Sequence, residues 1–321
     1  MNLTFEQIKS IAVGAVEVTQ KGDCICFRRM SEKLEQAFRE GRADWYDKAC
    51  CTTECRLEFH TDSRNLRVDF GVIFIDGNTF GKYEIYVDGL PVAFVKETGA
   101  QKTVSVELPE GDKHVTVALP CHNIGIIWNV VIDEGSYIRP HSFDRKMLFL
   151  GDSITQGYSA NHDAMSYSYL VARHFNAESL NWAVGGADFC ESTVEATDFD
   201  PDIVFVAYGT NDYSRFSSME ELRSRCAGYL DKIKALYGDK KVFCISPIWR
   251  ADGKIRLATG THEECRQTII REIEKRGFTH IDGYKIFPHM TEYFHDSFLH
   301  PNDHGFAIYA SNLIKFLQPL I

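Results

Sequence analysis

The chain lacks any long run of lysine or arginine. With 35 basic against 45 acidic residues and a formal charge of −10, it has no expected surface for tracking phosphates, which argues against nucleic acid as a partner. A long apolar run is missing too. Ile11-Ala-Val-Gly-Ala-Val16 is closed by Glu17, too short to span a bilayer or to serve as the apolar region of a signal peptide. A cytoplasmic protein that does not enter membranes is expected. The ten cysteines in 321 residues are too sparse for the disulfide scaffold of a small secreted domain. Cys190, Cys226 and Cys244 lie in apolar segments and read as small core residues. Cys50, Cys51, Cys55 and the following His60 lack the paired spacing of a structural zinc site, so no metal is expected. Internal repeats and low-complexity tracts are absent.

Two textures are present. From about Arg56 to Asp133 the chain runs in short segments rich in β-branched and aromatic residues, such as Leu66–Phe74, Lys82–Val87, Thr103–Leu108, His114–Leu119 and Gly125–Val131. Alternation of period two puts their apolar side chains on one face of a sheet. Asp88-Gly89 between two such segments signals a tight hairpin. Strands at this spacing predict an all-β sandwich, jelly-roll-like, over residues 1–140. Within that range, ahead of the strand segments, Ser31–Phe38 reads as a short helix with Ser31 as its cap.

From about Lys146 the apolar runs become continuous: Lys146–Leu150, Ile203–Tyr208 and Val242–Ile248. Such runs suit strands buried on both faces. Helical patterns over Tyr167–Phe175, Met219–Leu236, His262–Arg276 and Gly305–Leu317 separate or follow them. Strand–helix alternation predicts a three-layer α/β/α domain around a parallel sheet over residues 141–321.

In such a sheet, ligands bind beyond the carboxyl ends of the strands, so the residues just after each strand matter. The first strand leads into Gly151-Asp152-Ser153, where a serine serves as an exposed nucleophile or as a helix cap. A second, near Ser179–Val184, leads into Gly185-Gly186, either a close backbone approach to a ligand or an ordinary turn. The third leads into Gly209-Thr210-Asn211-Asp212, where Asn211 is an amide donor or a turn former. Asp296-Ser-Phe-Leu-His300-Pro301-Asn302-Asp303 precedes the last helix and offers a base with a nearby carboxylate.

In this order the four blocks resemble those of the SGNH, or GDSL-type, hydrolases. The resemblance covers the chain from about residue 146 to its end, and it implies a flavodoxin-like serine hydrolase that needs no cofactor. It makes Ser153 the nucleophile, His300 the base and Asp296 the carboxylate that orients it. The N–H groups of Ser153 and Gly186 and the amide of Asn211 become the oxyanion donors. Two departures stand out. The glycine block opens Asn181-Trp182-Ala183, and Asp296 precedes His300 by four residues rather than three. The extra residue bulges out, or a backbone carbonyl takes the place of Asp296. His289, His295 and His304 are rivals for the base, but only His300 precedes Pro-Asn-Asp.

A β-sandwich ahead of such a domain resembles the two-domain carbohydrate acetyl esterases. That likeness implies hydrolysis of short-chain, acetyl esters on a small molecule or oligosaccharide through an acyl-enzyme. A lipid or thioester acylhydrolase, or a non-catalytic carbohydrate-binding protein, are the other readings. Tyr158–Tyr169, Tyr213, Phe216, Trp182 and Trp249 are candidates for sugar stacking, with core packing the commoner fate of such residues. The N-terminal domain is open to sugar binding, a share in the cleft, or homo-oligomer formation.

Overall fold

The computed structural model describes residues 1–75, 81–97 and 101–321. They divide into two compact units. The first comprises Met1–Glu32, Asp47–Phe143 and His162–Ala164, and the second Lys33–Tyr46, Asp144–Asn161 and Met165–Ile321.

The first unit is built from two antiparallel sheets. One contains the strands Arg56–Thr61, Gly81–Val87, Leu90–Glu97 and Lys113–Ala118; the other contains Asn65–Ile73, Lys102–Glu107 and Ile124–Ile132. Asp88 and Gly89 both take positive φ, 48° and 79°, the backbone of a tight two-residue hairpin whose twist matches its flanking strands. Leu57, Phe59, Val115 and Val117 of one sheet share a buried core with Val68, Phe70 and Ile127 of the other. The core tolerates the Tyr83 hydroxyl because it donates to the carbonyls of Gly71 and Ile126 at 2.8 and 3.0 Å. The short strands Ala12–Val13, Glu17–Lys21 and Cys24–Arg28 lie outside the segments anticipated from sequence. Glu17–Lys21 carries mixed polar residues and is largely exposed, so no apolar alternation marks it.

In the second unit five parallel strands form one sheet among the described residues: β1 Arg145–Gly151, β2 Ala177–Asn181, β3 Ile203–Ala207, β4 Lys241–Ile245 and β5 Thr279–Ile281. Their order is β2-β1-β3-β4-β5, the flavodoxin-like order. Met147, Phe149, Phe205 and Phe243 are buried with the helices Tyr167–His174 and Asp303–Leu317 in a single core. Each major helix starts where its sequence supplies a cap. Ser166, Ser218 and Thr261 accept from the backbone N–H three residues on, and Thr261 with Glu264 completes a capping box. Asn302 caps the last helix through the N–H of Gly305, which fixes the chain direction immediately after His300.

Candidate active site

The strand order reverses between β1 and β3, so the crevice beyond their carboxyl ends is where a doubly wound sheet binds its ligand. Ser153 emerges there, two residues past the end of β1, only 6% exposed. Its Oγ lies 2.9 Å from Nε2 of His300. The other ring nitrogen, Nδ1, lies 2.7 Å from Oδ2 of Asp296. The structure therefore brings Ser153, His300 and Asp296 into one chain of contacts.

Asp296 is positioned by its own loop. Its Oδ1 accepts from the N–H groups of Phe298, Leu299 and His300 at 3.1, 2.8 and 3.0 Å. The residue that separates this block from the usual spacing, Ser297, takes a left-handed φ of 67°, an uncommon backbone state for a residue with a Cβ. The loop is closed by the N–H of His295 on the His300 carbonyl at 2.8 Å and the N–H of Asn302 on the Tyr293 carbonyl at 2.9 Å. Burial raises the Asp296 carboxyl, but the N–H groups of Leu299 and Phe298, with His300, overcome it and leave it below the ordinary carboxylate value. An ionised carboxylate only accepts, so Nδ1 of His300 carries the proton and Nε2 is left to accept from the Ser153 hydroxyl. Burial lowers the His300 imidazole, the Asp296 contact raises it, and the balance falls below the ordinary histidine value. The ring is neutral at pH 7, as a base must be.

Gly186 and Asn211 follow β2 and β3, the two strands that flank β1 in the sheet. Gly186 has a φ of 80°, open to glycine at little cost. A Cβ there would sit 3.6 Å from Trp45 Nε1 and 3.9 Å from Arg215 Nη2. The Gly186 carbonyl accepts from Arg215, whose Nη1 also holds Asp188 at 2.9 Å. The preceding Gly185 N–H is taken by Gln156 Oε1 at 2.7 Å. Among the described residues, the N–H groups of Ser153 and Gly186 make no hydrogen bond within the protein, so both remain available to a ligand. Asn211 donates from Nδ2 to the Ala187 carbonyl at 2.8 Å, which fixes its amide beside the glycine turn and commits one of its two N–H bonds. The unusual opening of the glycine block is also accounted for. Asn181 is buried and donates to the Thr155 carbonyl at 2.8 Å while its Oδ1 takes the Ala183 N–H at 3.0 Å. It ties the loops after β1 and β2 together.

Around the site are charges that sequence reading did not single out. Arg250 donates from Nη1 to the carbonyl and hydroxyl of Thr210 at 2.9 and 3.1 Å and pairs with Asp252. It lies just past β4, where the search for residues after each strand would have reached it. Trp45 and Arg215 carried no such signal. Asp152 and Asp212 are buried. Burial pushes the Asp152 carboxyl up to about 7, and burial with the neighbouring Asp188 pushes Asp212 up to about 8. Of the aromatic candidates, Trp182, Tyr213 and Phe216 are buried. Trp249 is half-buried and stacks on His289. Tyr158 is 43% exposed, and its ring centre lies 4.9 Å from that of His300. His289 bonds through Nε2 to the Tyr284 carbonyl. No group of metal-ligating side chains forms at this site among the described residues.

Residues 149–308 match the GDSL-like Lipase/Acylhydrolase family. The chain carries a GDSL-like lipase/acylhydrolase domain. It is an ester hydrolase. No curated protein is recognisably similar in sequence. Among solved structures, a protein described as a GDSL-like lipase from Bacteroides ovatus superposes with a TM-score of 0.81 at 17% identity, over 99% of this chain and 97% of its own. The salicylyl-acyltransferase SsfX3 from a tetracycline biosynthetic pathway gives a TM-score of 0.78 at 18% identity, over 96% and 94%. A family two carbohydrate esterase from Cellvibrio japonicus gives 0.68 at 15% identity, also over 96% and 94%. At these identities the likeness is one of fold. It extends over nearly the whole chain, the antiparallel sheets of the first unit included.

Proposed function

We propose that this protein is a serine esterase that removes short acyl groups, acetyl above all, from small or oligomeric carbohydrates. The observation that carries the chemistry is the continuous path from Ser153 Oγ through His300 to Asp296, at 2.9 and 2.7 Å. In this reading Ser153 attacks the ester carbonyl as His300 Nε2 takes its proton, and Asp296 stabilises the imidazolium that forms. The N–H groups of Ser153 and Gly186 and the free N–H of Asn211 receive the oxyanion, each such donor contributing about 3–4 kcal/mol to lowering the barrier. His300 then returns the proton to the alcohol and activates water to release the acyl group.

The substrate class rests on coarser support. The fold is shared over nearly its full length with a carbohydrate esterase, whose first sheets we read as the counterpart of a jelly-roll-like domain here. Tyr158 offers an exposed ring beside His300, suited to packing on a sugar face. Trp45 and Arg215 stand beside Gly186, and we read them as walls that suit a small acyl group. A second reading, acyl transfer to a hydroxyl other than water, is favoured by the full-length likeness to the salicylyl-acyltransferase. Both use the same acyl-enzyme. A series of p-nitrophenyl esters from acetate to octanoate, followed by acetate release from acetylated oligosaccharides, tests the proposal. It expects the highest kcat/KM at acetate. A maximum at octanoate, or at an aromatic acyl group with transfer to an added alcohol, would replace it.

A further inference from the structure

One face of a sheet in the first unit gathers an unusual set of side chains. In the pairing of Arg56–Thr61 with Lys113–Ala118, His60 stands opposite His114. The next pairing sets Arg139 opposite His60 and Pro140 opposite Phe59. Continued by one residue, it carries His141 to the level of Glu58, and the His141 N–H reaches the Glu58 carbonyl at 3.3 Å. Because side chains alternate along a strand, Glu58 and His60 share a face. The three imidazoles stack nearly parallel, with ring centres 5.1, 5.3 and 4.2 Å apart for the pairs His60–His114, His60–His141 and His114–His141.

The donor atoms converge. Glu58 Oε1 lies 3.1 Å from His114 Nε2, while Oε2 is held by Arg56 Nε at 2.5 Å. His60 Nε2 lies 3.0 Å from His141 Nδ1. One ligand atom from each of Glu58, His114 and His141 falls within 4.8 Å of the other two. His114 Nε2 is buried, with Glu58 Oε1 as its close polar neighbour. Two imidazole nitrogens and a carboxylate oxygen already this close need shifts of less than about 2 Å to reach the spacing set by metal–ligand bonds of about 2.0–2.2 Å.

We propose that Glu58, His114 and His141 bind a divalent transition-metal ion of the zinc, nickel and copper class, with His60 orienting the ring of His141. Imidazole with a single carboxylate selects these ions over calcium and magnesium, which take oxygen ligands. Arg56 fixes the carboxylate as an outer partner. Three protein ligands leave a position for water or an exogenous group. The ion ties together three segments of the chain, Arg56–Thr61, Lys113–Ala118 and the residues after Pro140, and so stabilises the folded state by mass action. This cluster differs from the cysteine-rich segment that first drew attention in the sequence. Among the described residues, His60 stands with histidines, and Cys50, Cys51 and Cys55 do not join a ligand group.

The test uses the full-length protein after chelator treatment, titrated calorimetrically with Zn2+. One equivalent is expected to bind and to raise the melting temperature. His114→Asn and His141→Gln are each expected to abolish that equivalent, and His60→Asn to weaken it by roughly 10- to 100-fold. X-ray absorption at the zinc edge of the wild-type protein needs no substitution, and it is expected to show only nitrogen and oxygen neighbours with imidazole scattering. Absence of stoichiometric binding, binding unaffected by His114→Asn and His141→Gln, or a sulfur neighbour at about 2.3 Å would each overturn the proposal.

Discussion

Asp296 reaches His300 across a four-residue step because Ser297 between them takes a left-handed backbone turn. Oδ2 of Asp296 lies 2.7 Å from Nδ1 of His300, and Ser297 has a φ of 67°. The turn lets one carboxylate do two things at once: Oδ1 collects three backbone N–H groups of its own loop, and Oδ2 is left for the imidazole. The geometry thus favours a triad over a serine–histidine dyad.

Asp296→Asn is therefore expected to lower kcat by on the order of 10⁴-fold, because the amide no longer fixes the tautomer that frees Nε2. A pH profile adds a sign. Asp296 raises the His300 imidazole against the lowering effect of its burial, so losing the charge moves the acid limb of kcat/KM to lower pH. The acid limb of wild type is expected to lie below the ordinary histidine value. A loss under about tenfold, with the limb unmoved, would favour the dyad.

Asn211→Ala tests the oxyanion site. Asn211 spends one N–H on the Ala187 carbonyl, and the proposed mechanism assigns the other to the oxyanion. Its removal is expected to lower kcat by about 10²- to 10³-fold with little change in KM, since the bond strengthens only as charge develops. A rise in KM at constant kcat would instead make Asn211 a ground-state binding residue.

The buried carboxyls make stability depend on pH. Burial and Asp188 hold the Asp212 carboxyl up to about 8, whereas an unfolded aspartate titrates near about 3.9. Below the unfolded value both states are protonated and the fold bears no penalty. As pH rises through the interval up to about 8, the unfolded chain gives up a proton that the folded one retains, and stability falls. Asp212→Asn keeps an oxygen acceptor for the Phe189 N–H, which now bonds Oδ1 at 2.9 Å, and removes this titration. Its melting temperature relative to wild type is expected to climb between pH 5 and pH 8. A difference that stays constant or shrinks would place the proton elsewhere.

Much of this was legible in the sequence, for identifiable reasons. The buried parallel strands announce themselves as continuous apolar runs, and the helices by the apolar patterns between and after them. The blocks at Ser153, Gly186, Asn211 and His300 stand out because a doubly wound sheet puts strand ends at one crevice. β2 was displaced by two or three residues from the anticipated Ser179–Val184, since Trp182–Val184 are buried without being strand. β5, three residues long, is too short for any periodicity. Trp45 and Arg215 were hidden for another reason. Trp45 comes from a segment more than a hundred residues upstream of Gly186, and only tertiary packing brings it there. The histidine cluster was invisible because His60, His114 and His141 are separated in the chain and meet only through strand register.

Ser153, as the proposed nucleophile, is the side chain that a serine-directed electrophile should modify. Treatment of the wild-type protein with a fluorophosphonate probe, read by intact mass and peptide mapping, tests it directly. One phosphonyl group is expected on Ser153, with Ser153→Ala unlabelled and inactive toward p-nitrophenyl acetate while retaining the wild-type circular dichroism. Labelling elsewhere, or esterase activity that survives in Ser153→Ala, would remove Ser153 from the role of nucleophile.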